Sequence, residues 1–316
     1  MKLHLFSNLV KETKFSRNAI ERYIYNAPMK YKVYTIPKRS SGQRVIAHPA
    51  KKLKILQRAL VSILMPFLNI HDRAMAYRKG IGIKHNATMH KNNEYILKID
   101  FNDFFNSITP DMILERFSKN NIELSSAEKK LIIKCFFWNK TKRIDGKLVL
   151  SVGAPSSPFL SNVLMFDFDE FFSNYCKENS IVYSRYADDI TFSSSKKNVL
   201  FIIPDLVKKQ LAILFKNKIT INEFKTIFSS KAHNRHVTGV TINNNGELSL
   251  GRERKRFISA LIHKFTLKTL SLDQAQQLQG MISFASDIEP SFRLRMEKKY
   301  SEGIICKIVK FRGSYE

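Results

Sequence analysis

The chain has 316 residues, of which 44% are hydrophobic and 11% aromatic, so it is not a disordered chain and can bury the core of one large domain or of several packed subdomains. Lys and Arg number 53 against 27 Asp and Glu, which gives a formal net charge of +26 at pH 7. A globular protein this basic favours a polyanionic partner, and nucleic acid is the first candidate because neutralised phosphates release their counterions.

The first part of the chain predicts short helices followed by a β-hairpin. Residues 1–30 have the pattern of short helices with basic faces. Tyr31–Ile36 alternates β-branched and aromatic residues as a strand does, and Gln43–Ala47 is the returning strand after a turn at residues 40–42. Lys51–Leu68 then has a helical pattern that Pro66 interrupts.

The middle of the chain alternates strands with helices, which indicates an α/β or α+β protein. Glu94–Phe101 is a short apolar strand with Asp100 near its end. Helices are predicted to begin at Pro110 and Pro158, because each proline follows a residue with a hydroxyl group that is able to cap a helix. The apolar spacing carries the second helix on through Phe168.

Two hairpins and a basic helix complete the pattern. Ile181–Ser194 predicts a hairpin with a tight turn at residues 187–189. Val237–Ile242 is predicted to pair with Glu247–Leu250 around the Asn-Gly turn at 245–246. After Arg252 the pattern becomes helical, with one apolar stripe for the core made of Phe257, Ile258, Leu261, Ile262 and Phe265.

The sequence argues against membrane binding and against a disulfide scaffold. Apolar stretches such as Ala59–Leu68 are far shorter than the roughly 20 residues of a spanning helix, and the N-terminal residues do not form a signal peptide. Cys135, Cys176 and Cys306 are odd in number and far apart, so they fit neither a disulfide framework nor a zinc site. We therefore expect a cytoplasmic protein with no membrane partner.

The residues that indicate chemistry are the adjacent aspartates Asp188 and Asp189 in the predicted tight turn. Like charges at this range raise each other's pKa, so such a pair persists where a cation neutralises it, and carboxylate oxygens suit Mg²⁺ or Mn²⁺. Asp100 ends a separate strand, and together the three carboxylates are the minimum set for two ions bridged by a substrate phosphate. The alternative is a turn that uses Asp only for local hydrogen bonds.

With Tyr186-Ala187-Asp188-Asp189 following Asp100 in this order, the chain resembles reverse transcriptases from about residue 31 to about residue 259. The resemblance implies that Asp100, the backbone carbonyl of Phe101, Asp188 and Asp189 bind two Mg²⁺ ions, with Mn²⁺ as an alternative. It also implies an RNA-directed DNA polymerase, a nucleotidyltransferase that uses a two-metal-ion mechanism on dNTPs.

Four further residues match nucleotide-binding positions of that family. Phe105 matches the bulky side chain that excludes a ribose 2′-hydroxyl, which implies a preference for deoxynucleotides. Lys38 and Arg44, on the first hairpin, match finger residues that hold the triphosphate. Lys225 matches a lysine that assists the leaving group as a general acid. Taken alone, each of the three basic residues reads as ordinary protein surface.

The segment from Gly153 to Pro158 is similar to the turn of the family that binds the template and the nucleotide sugar. A glycine there allows the backbone to approach a neighbour closely, so Gly153 is a candidate nucleotide-binding residue. The family usually has Gln just before this glycine, where this chain has Val152, and that departure concerns nucleotide positioning and not the metal chemistry.

Two short strings narrow the resemblance to bacterial retron reverse transcriptases. Asn86-Ala87-Thr88-Met89-His90 matches their NAxxH signature, and Val237-Thr238-Gly239 matches their VTG signature. The retron resemblance implies a cognate structured non-coding RNA that is primed from a 2′-hydroxyl and partly copied into a short, multicopy single-stranded DNA. It further implies a neighbouring effector protein and a role in defence against phage. The residues expected to bind the RNA are Asn86, His90, Val237, Thr238, Gly239, Arg252, Arg254 and Arg256.

The fold that the resemblance implies is the α+β right-hand polymerase fold, with a palm built on an antiparallel sheet and a small helical thumb. We expect residues 1–98 to form the fingers with part of the palm, 99–250 the palm with a finger insertion near 107–150, and 251–316 an RNA-binding thumb. Two alternatives remain open at this point. One is an intron-type reverse transcriptase primed from a DNA 3′-end, and the other is a catalytically inactive RNA-binding scaffold.

Overall fold

The computed structural model describes residues 2–38, 42–143 and 145–313. In chain order the helices in these ranges are α1 (Leu5–Thr13), α2 (Arg17–Ile24), α3 (Lys51–Leu64), α4 (Ile83–His90), α5 (Phe104–Ser107), α6 (Pro110–Lys119), α7 (Ser126–Phe136), α8 (Ser157–Leu164), α9 (Phe166–Glu178), α10 (Ile203–Phe215), α11 (Arg252–Thr266), α12 (Leu272–Ile288), α13 (Pro290–Tyr300) and α14 (Glu302–Val309). The strands are β1 (Tyr31–Pro37), β2 (Gln43–Pro49), β3 (Tyr95–Phe101), β4 (Trp138–Asn139), β5 (Leu148–Val149), β6 (Val182–Tyr186), β7 (Asp189–Ser194), β8 (Ile221–Ser229), β9 (Arg235–Val237), β10 (Val240–Ile242) and β11 (Leu248–Ser249).

The chain divides into two compact units. The first unit comprises Met1–Tyr77, Ile99–Ile190 and Phe201–Ile227, and the second comprises Arg78–Lys98, Thr191–Leu200 and Phe228–Glu316. The predicted boundaries of fingers, palm and thumb, after residues 98 and 250, come from the family resemblance. They differ from the boundaries of the two compact units, so the three-part division stays a prediction. None of the helices in the described ranges combines the length and the apolarity that crossing a bilayer requires.

The first unit begins with the predicted helices and hairpin. β1 pairs with β2 antiparallel, from Tyr31 opposite Pro49 to Pro37 opposite Gln43, as the alternation indicated. Residues 40 and 41 of the predicted turn lie outside the described residues. The helix predicted for 51–68 is α3, which ends at Leu64 and tightens into a 3₁₀ turn around Pro66, because proline cannot donate the next helical hydrogen bond.

The sheet that carries the aspartates has the strand order β6-β7-β3-β8. Its strands β6 and β7 form the predicted hairpin, and α9 packs against β6. The prediction of one helix from Pro158 through Phe168 was wrong. The helix is interrupted at Met165, whose ψ of 3° lies outside the helical range, so α8 and α9 are separate helices.

The second unit combines a small sheet with a helical core. Its strand order is β11-β10-β9, and the predicted pairing of β10 with β11 is confirmed. The single strand predicted for Val237–Ile242 was wrong, because Thr238 and Gly239 have φ values of 48° and 80° and turn the chain back, so that β9 pairs with β10. The core contains the buried faces of α11, α12, α13 and α14 together with Ala87 of α4.

The predicted stripe of α11 lies in that core with one exception. Ile258, Leu261, Ile262 and Phe265 are buried, whereas Phe257 is 48% exposed and its prediction was wrong. At about 100° per residue, Phe257 points roughly 90° away from the middle of the stripe formed by the other four residues, so it lies at the edge of the buried face.

Glu289 ties the sheet of the second unit to its helices. It lies between α12 and α13 and accepts hydrogen bonds from the Ser249 hydroxyl (2.9 Å), the Leu250 amide (3.0 Å) and Lys255 Nζ (2.7 Å). Burial by itself raises the pKa of this carboxyl. The three donors and Arg295 together lower the pKa by more than burial raises it, so the pKa of Glu289 lies below its ordinary value.

Candidate active site

The three aspartates singled out by the sequence belong to neighbouring strands of one sheet. Asp100 is the next-to-last residue of β3, Asp188 lies in the turn between β6 and β7, and Asp189 begins β7. Because β7 lies beside β3, the turn lies next to the end of β3, where the Phe101 amide donates to the Asp188 carbonyl at 3.2 Å. Burial raises the pKa of Asp188 and the Asp100 charge raises it further, while Arg44 and Lys225 oppose the shift.

Lys225 forms an ion pair with Asp100. It extends from β8, the strand on the other side of β3, and its Nζ donates to both Asp100 carboxylate oxygens at 3.1 Å. The Asp100 side chain is 15% exposed and that of Lys225 59% exposed, so the ion pair lies at the surface end of the sheet. The sequence indicated Lys225 only as a nucleotide-binding residue and did not predict its pairing with Asp100.

The donor chemistry of this region fits a hard divalent cation. Asp100 and Asp188 are close enough for one charge to raise the pKa of the other carboxyl, and a cation relieves that repulsion. Across the described ranges, no group of three or more His, Cys, Asp or Glu side chains is arranged to hold a metal ion. The Asp189 side chain is exposed, so the carboxylates form a pair with a third beside them and not a closed cage.

A cavity of about 270 Å³ in the first unit is lined by Phe105 and Gly153, two predicted nucleotide-binding residues. Gly153 has a φ of 120°, and a Cβ at this position would lie 3.1 Å from both the Ala47 carbonyl oxygen and the Ile46 side chain of β2. A side chain here would be strained, because L residues rarely adopt this φ and the Cβ contacts with β2 would be tight, which explains the glycine physically. The neighbouring Val152 carbonyl accepts from the Ala47 amide at 2.9 Å, so Val152 contributes its backbone to this packing.

Sequence reasoning missed Tyr77, which lines the same cavity. It has a φ of 63°, unusual for a residue with a large side chain, and the side chain is 53% exposed. Burial of its hydroxyl end and the nearby Asp188 charge raise the pKa of Tyr77. No pattern around Tyr77 marks it in the sequence, because both its backbone conformation and its neighbours depend on distant parts of the chain.

The two predicted finger residues differ in what surrounds them. Arg44, exposed on β2, lies near enough for its charge to lower the pKa of Asp188, so it belongs to the electrostatic surroundings of the aspartates. Lys38 is exposed just after β1, and its amide donates to the Gly42 carbonyl at 2.9 Å. Contact of either residue with a triphosphate stays a prediction.

The retron-like strings meet each other inside the second unit. Asn86 and His90, both on α4, are fully buried, as is Val237. The Asn86 amide donates to the Thr238 hydroxyl at 3.4 Å, and His90 Nδ1 lies 2.7 Å from the Ser193 hydroxyl. Because these side chains are buried and make contacts within the protein, their expected role in RNA binding stays a prediction. They would influence RNA only indirectly, by shaping the protein surface nearby.

The arginines that begin α11 are more accessible. Arg252 and Arg256 are exposed, while Arg254 is half-buried. The Arg254 guanidinium lies 5.1 Å from the centre of the Phe284 ring and donates to the Gly239 carbonyl at 3.2 Å. Arg254 therefore links α11 to the Val237–Gly239 turn, and the two exposed arginines are the ones that present charge to solvent.

Comparison with known proteins places these features in a family. Residues 36–242 match the family described as reverse transcriptase (RNA-dependent DNA polymerase). The retron Ec83 reverse transcriptase of Escherichia coli is 50% identical over 281 residues, which cover 89% of this chain and 90% of that protein. This chain belongs to the retron reverse transcriptases. The predicted family is thereby confirmed, and the enzyme is an RNA-directed DNA polymerase with an RNA template.

Other relatives agree with this assignment. The retron Ec73 enzyme of E. coli is 30% identical over 294 residues, covering 89% of this chain and 90% of that protein. The retron Ec86 enzyme is 28% identical over 311 residues, covering 95% and 92%. The helices and antiparallel strand pairs of the described residues confirm the predicted α+β class for this chain, and the right-hand polymerase arrangement is what membership of the family implies. A solved apo telomerase from Candida tropicalis is 12% identical, covers 89% of this chain and 63% of its own, and has a TM-score of 0.47, too low to add to the assignment.

Proposed function

We propose that this retron reverse transcriptase copies part of a cognate structured non-coding RNA into a short single-stranded DNA, with a 2′-hydroxyl of that RNA as the primer. The 50% identity to a retron enzyme across nine-tenths of both chains is the observation that carries the proposal. On this proposal the DNA product is multicopy single-stranded DNA, and the enzyme, the RNA and the DNA stay together in the cytoplasm and act with a neighbouring effector protein against phage.

The chemistry is proposed to take place at Asp100, Asp188 and Asp189, with the backbone carbonyl of Phe101 as a further ligand. When bound there, two divalent cations, Mg²⁺ or Mn²⁺, would lower the pKa of the attacking hydroxyl and neutralise the triphosphate. The mutual repulsion of Asp100 and Asp188 supports a role in holding positive charge. Carboxylates serve here as fixed ligands, so they do not have to move a proton themselves.

The remaining residues are proposed to hold and orient the nucleotide. Phe105 lines the cavity beside Gly153, where a ring would leave no room for a 2′-hydroxyl on the sugar. Arg44 and Lys38 would attract the triphosphate from the first hairpin. Lys225 lies beside Asp100. In this position the Lys225 ammonium group would give a proton to the leaving pyrophosphate.

RNA capture is proposed to use residues 251–316, which belong to the second unit, as a thumb. On this proposal residues 1–98 form the fingers with part of the palm, and residues 99–250 form the palm with a finger insertion near 107–150. The exposed Arg252 and Arg256 at the start of α11 support this, because exposed arginines neutralise phosphates without needing a fixed sequence. The buried Asn86, His90 and Val237 would serve it indirectly by fixing the turn at Thr238 and Gly239.

The test is the nucleic acid that co-purifies with the enzyme expressed from its own locus. We expect a discrete DNA band on a denaturing gel that becomes shorter after ribonuclease, because a 2′-primed product is covalently joined to RNA. Asp188→Asn should purify with the RNA but without the DNA. RNA alone with the natural enzyme would favour an inactive scaffold, and DNA unaffected by ribonuclease would favour priming from a DNA 3′-end.

A further inference from the structure

Arg185, three residues before Asp188, is a fully buried charged side chain on β6. Its Nε donates to Asp169 Oδ1 at 2.8 Å and its Nη2 to Asp169 Oδ2 at 2.6 Å, and Asp169 on α9 is also completely buried. The Tyr183 hydroxyl, on the same face of β6, donates to Asp169 Oδ1 at 2.6 Å. The ion pair is therefore bidentate, and its carboxylate has a third donor.

The other end of the guanidinium reaches the turn that carries Asp188. Arg185 Nη1 donates to the Ala187 carbonyl at 3.0 Å and to Asn162 Oδ1 on α8 at 3.0 Å. Ala187 has a φ of 58°, a left-handed conformation that a non-glycine residue adopts only when its surroundings impose it. The Ala187 carbonyl belongs to the peptide group that continues into Asp188, so Arg185 fixes the orientation of that peptide.

The same network extends to the wall of the nucleotide cavity. Asn162 Nδ2 donates to the Ala76 carbonyl at 3.0 Å, and the next residue, Tyr77, lines the cavity with Phe105. The backbone of Arg185 adds two bonds to this segment, from its amide to the Arg73 carbonyl at 2.8 Å and from the Met75 amide to its carbonyl at 2.7 Å.

Stability alone does not account for this arrangement. Removing two charges from water costs several kcal/mol per ion, and a well-packed apolar pair of similar volume is often equally or more stable. Four hydrogen bonds from one planar group, in two directions, also use a geometry that lysine does not have. What the network supplies beyond packing is a fixed geometry for one peptide of the turn.

We propose that Asp169, Arg185 and Asn162 are positioning residues of the polymerase, which set the orientation of the Ala187–Asp188 peptide and so the position of the Asp188 carboxylate. None of them needs to contact substrate. The inference rests on the proposed catalytic role of Asp188, and it adds a structural cause for the position of that carboxylate. A displacement of about 1 Å at such a centre lowers turnover by about 100-fold.

The experiment compares Arg185→Lys, the paired change Asp169→Leu with Arg185→Met, and the control Arg116→Lys. Arg116 also pairs with an aspartate of α9, Asp167, and is nearly buried. No described bond joins this control pair to the turn. For each full-length variant we would measure kcat and KM for dNTP on an RNA template, RNA affinity by filter binding, the thermal midpoint, and amide hydrogen exchange of the turn peptide.

We expect Arg185→Lys and the paired variant to lose about 100-fold in kcat, with KM and RNA affinity changed less than about threefold. Exchange of the turn amides should accelerate in both. The paired variant buries no lone charge, so any fall of its thermal midpoint should come only from the partners that the Tyr183 hydroxyl, Asn162 and the Ala187 carbonyl lose. Arg116→Lys should keep kcat within about twofold even where its midpoint falls.

Two results would overturn the inference. One is natural kcat in the paired variant, which would make the network a packing feature only. The other is a loss of kcat that follows the thermal midpoint across all variants, Arg116→Lys included. Asp188→Asn separates this from the proposed function. If Asp188→Asn is inactive while the network variants stay active, only the network inference fails, and if Asp188→Asn polymerises, the catalytic assignment and the inference built on it fail together.

Discussion

Replacing Lys225 by methionine removes the ammonium group that pairs with Asp100 and keeps most of the side-chain length. In the structure this group lies 3.1 Å from both Asp100 oxygens, so it competes with any divalent cation for the same charge. Two unit charges at about 4 Å interact by roughly 4 kcal/mol at an effective dielectric constant near 20. Because the lysine is 59% exposed, solvent screening reduces the contribution to about 1 kcal/mol or less.

The expected result is therefore a two- to fivefold tighter binding of Mn²⁺ in the absence of nucleotide, measured by isothermal titration calorimetry. Turnover should change in the opposite direction. If Lys225 is the general acid for the leaving pyrophosphate, its loss lowers kcat by about 100-fold or more. The two roles are thus separated by opposite signs in two assays on one variant.

A matched control removes a lysine that pairs with the same strand but not with Asp100. Lys208 Nζ lies 2.6 Å from Glu223 Oε1, and Glu223 is also on β8. Lys208→Met lowers the net charge equally, so it should leave both Mn²⁺ affinity and kcat within about twofold. Unchanged or weaker Mn²⁺ binding in Lys225→Met, relative to this control, would refute the competition that the structure indicates.

Three other predictions concern separate parts of the enzyme. Phe105→Val should increase incorporation of ribonucleotides relative to deoxynucleotides by tenfold or more in primer extension, because it opens the cavity beside Gly153, and unchanged discrimination would contradict the steric role. Glu289→Gln should lower the free energy of unfolding at pH 7 by about 2 kcal/mol in urea titrations. Because the pKa of Glu289 is lowered in the folded enzyme, its carboxylate stabilises the fold above the ordinary pKa of Glu. This stability is lost as pH falls through the lowered folded-state pKa. The difference in free energy of unfolding between variant and natural enzyme should therefore narrow below about pH 4. A constant gap down to pH 3 would exclude this linkage. His90→Ala should lower the thermal midpoint, because it leaves the buried Ser193 hydroxyl with one partner fewer. Arg256→Glu should instead leave the midpoint unchanged and weaken RNA binding in filter assays. Equal RNA affinity in Arg256→Glu would contradict the proposed RNA surface.

The parts of the fold that the sequence predicted are those set by neighbours in the chain. β-Branched and aromatic residues predicted β1, although its residues after Tyr31 are exposed, and Pro110 began α6 because its missing amide proton is not needed there. The adjacent aspartates Asp188 and Asp189 were recognisable because two like charges in one tight turn have few purposes other than holding a cation.

The features that escaped prediction depend on contacts between distant residues. The interruption at Met165 is a change of one ψ angle within a continuous apolar pattern, which carries no sign of it. The pairing of Lys225 with Asp100 joins β8 to β3. The residues next to either one in the sequence do not indicate that the two side chains meet. Arg185 did offer a signal: it is a charged residue within a predicted strand, and a charge that is buried in a sheet needs a buried partner.

The two retron-like strings contact each other and α11 inside the second unit. The Asn86 amide bonds to Thr238 and the Arg254 guanidinium to Gly239, so the first string, the second string and α11 form one connected element. Substitution in either string is thus expected to move the turn and the basic helix together. RNA binding lost through a change at His90 consequently identifies a contact only if the thermal midpoint is retained, and the buried position of His90 predicts that it is not. Direct recognition is better sought at Arg252 and Arg256, whose side chains are exposed to solvent.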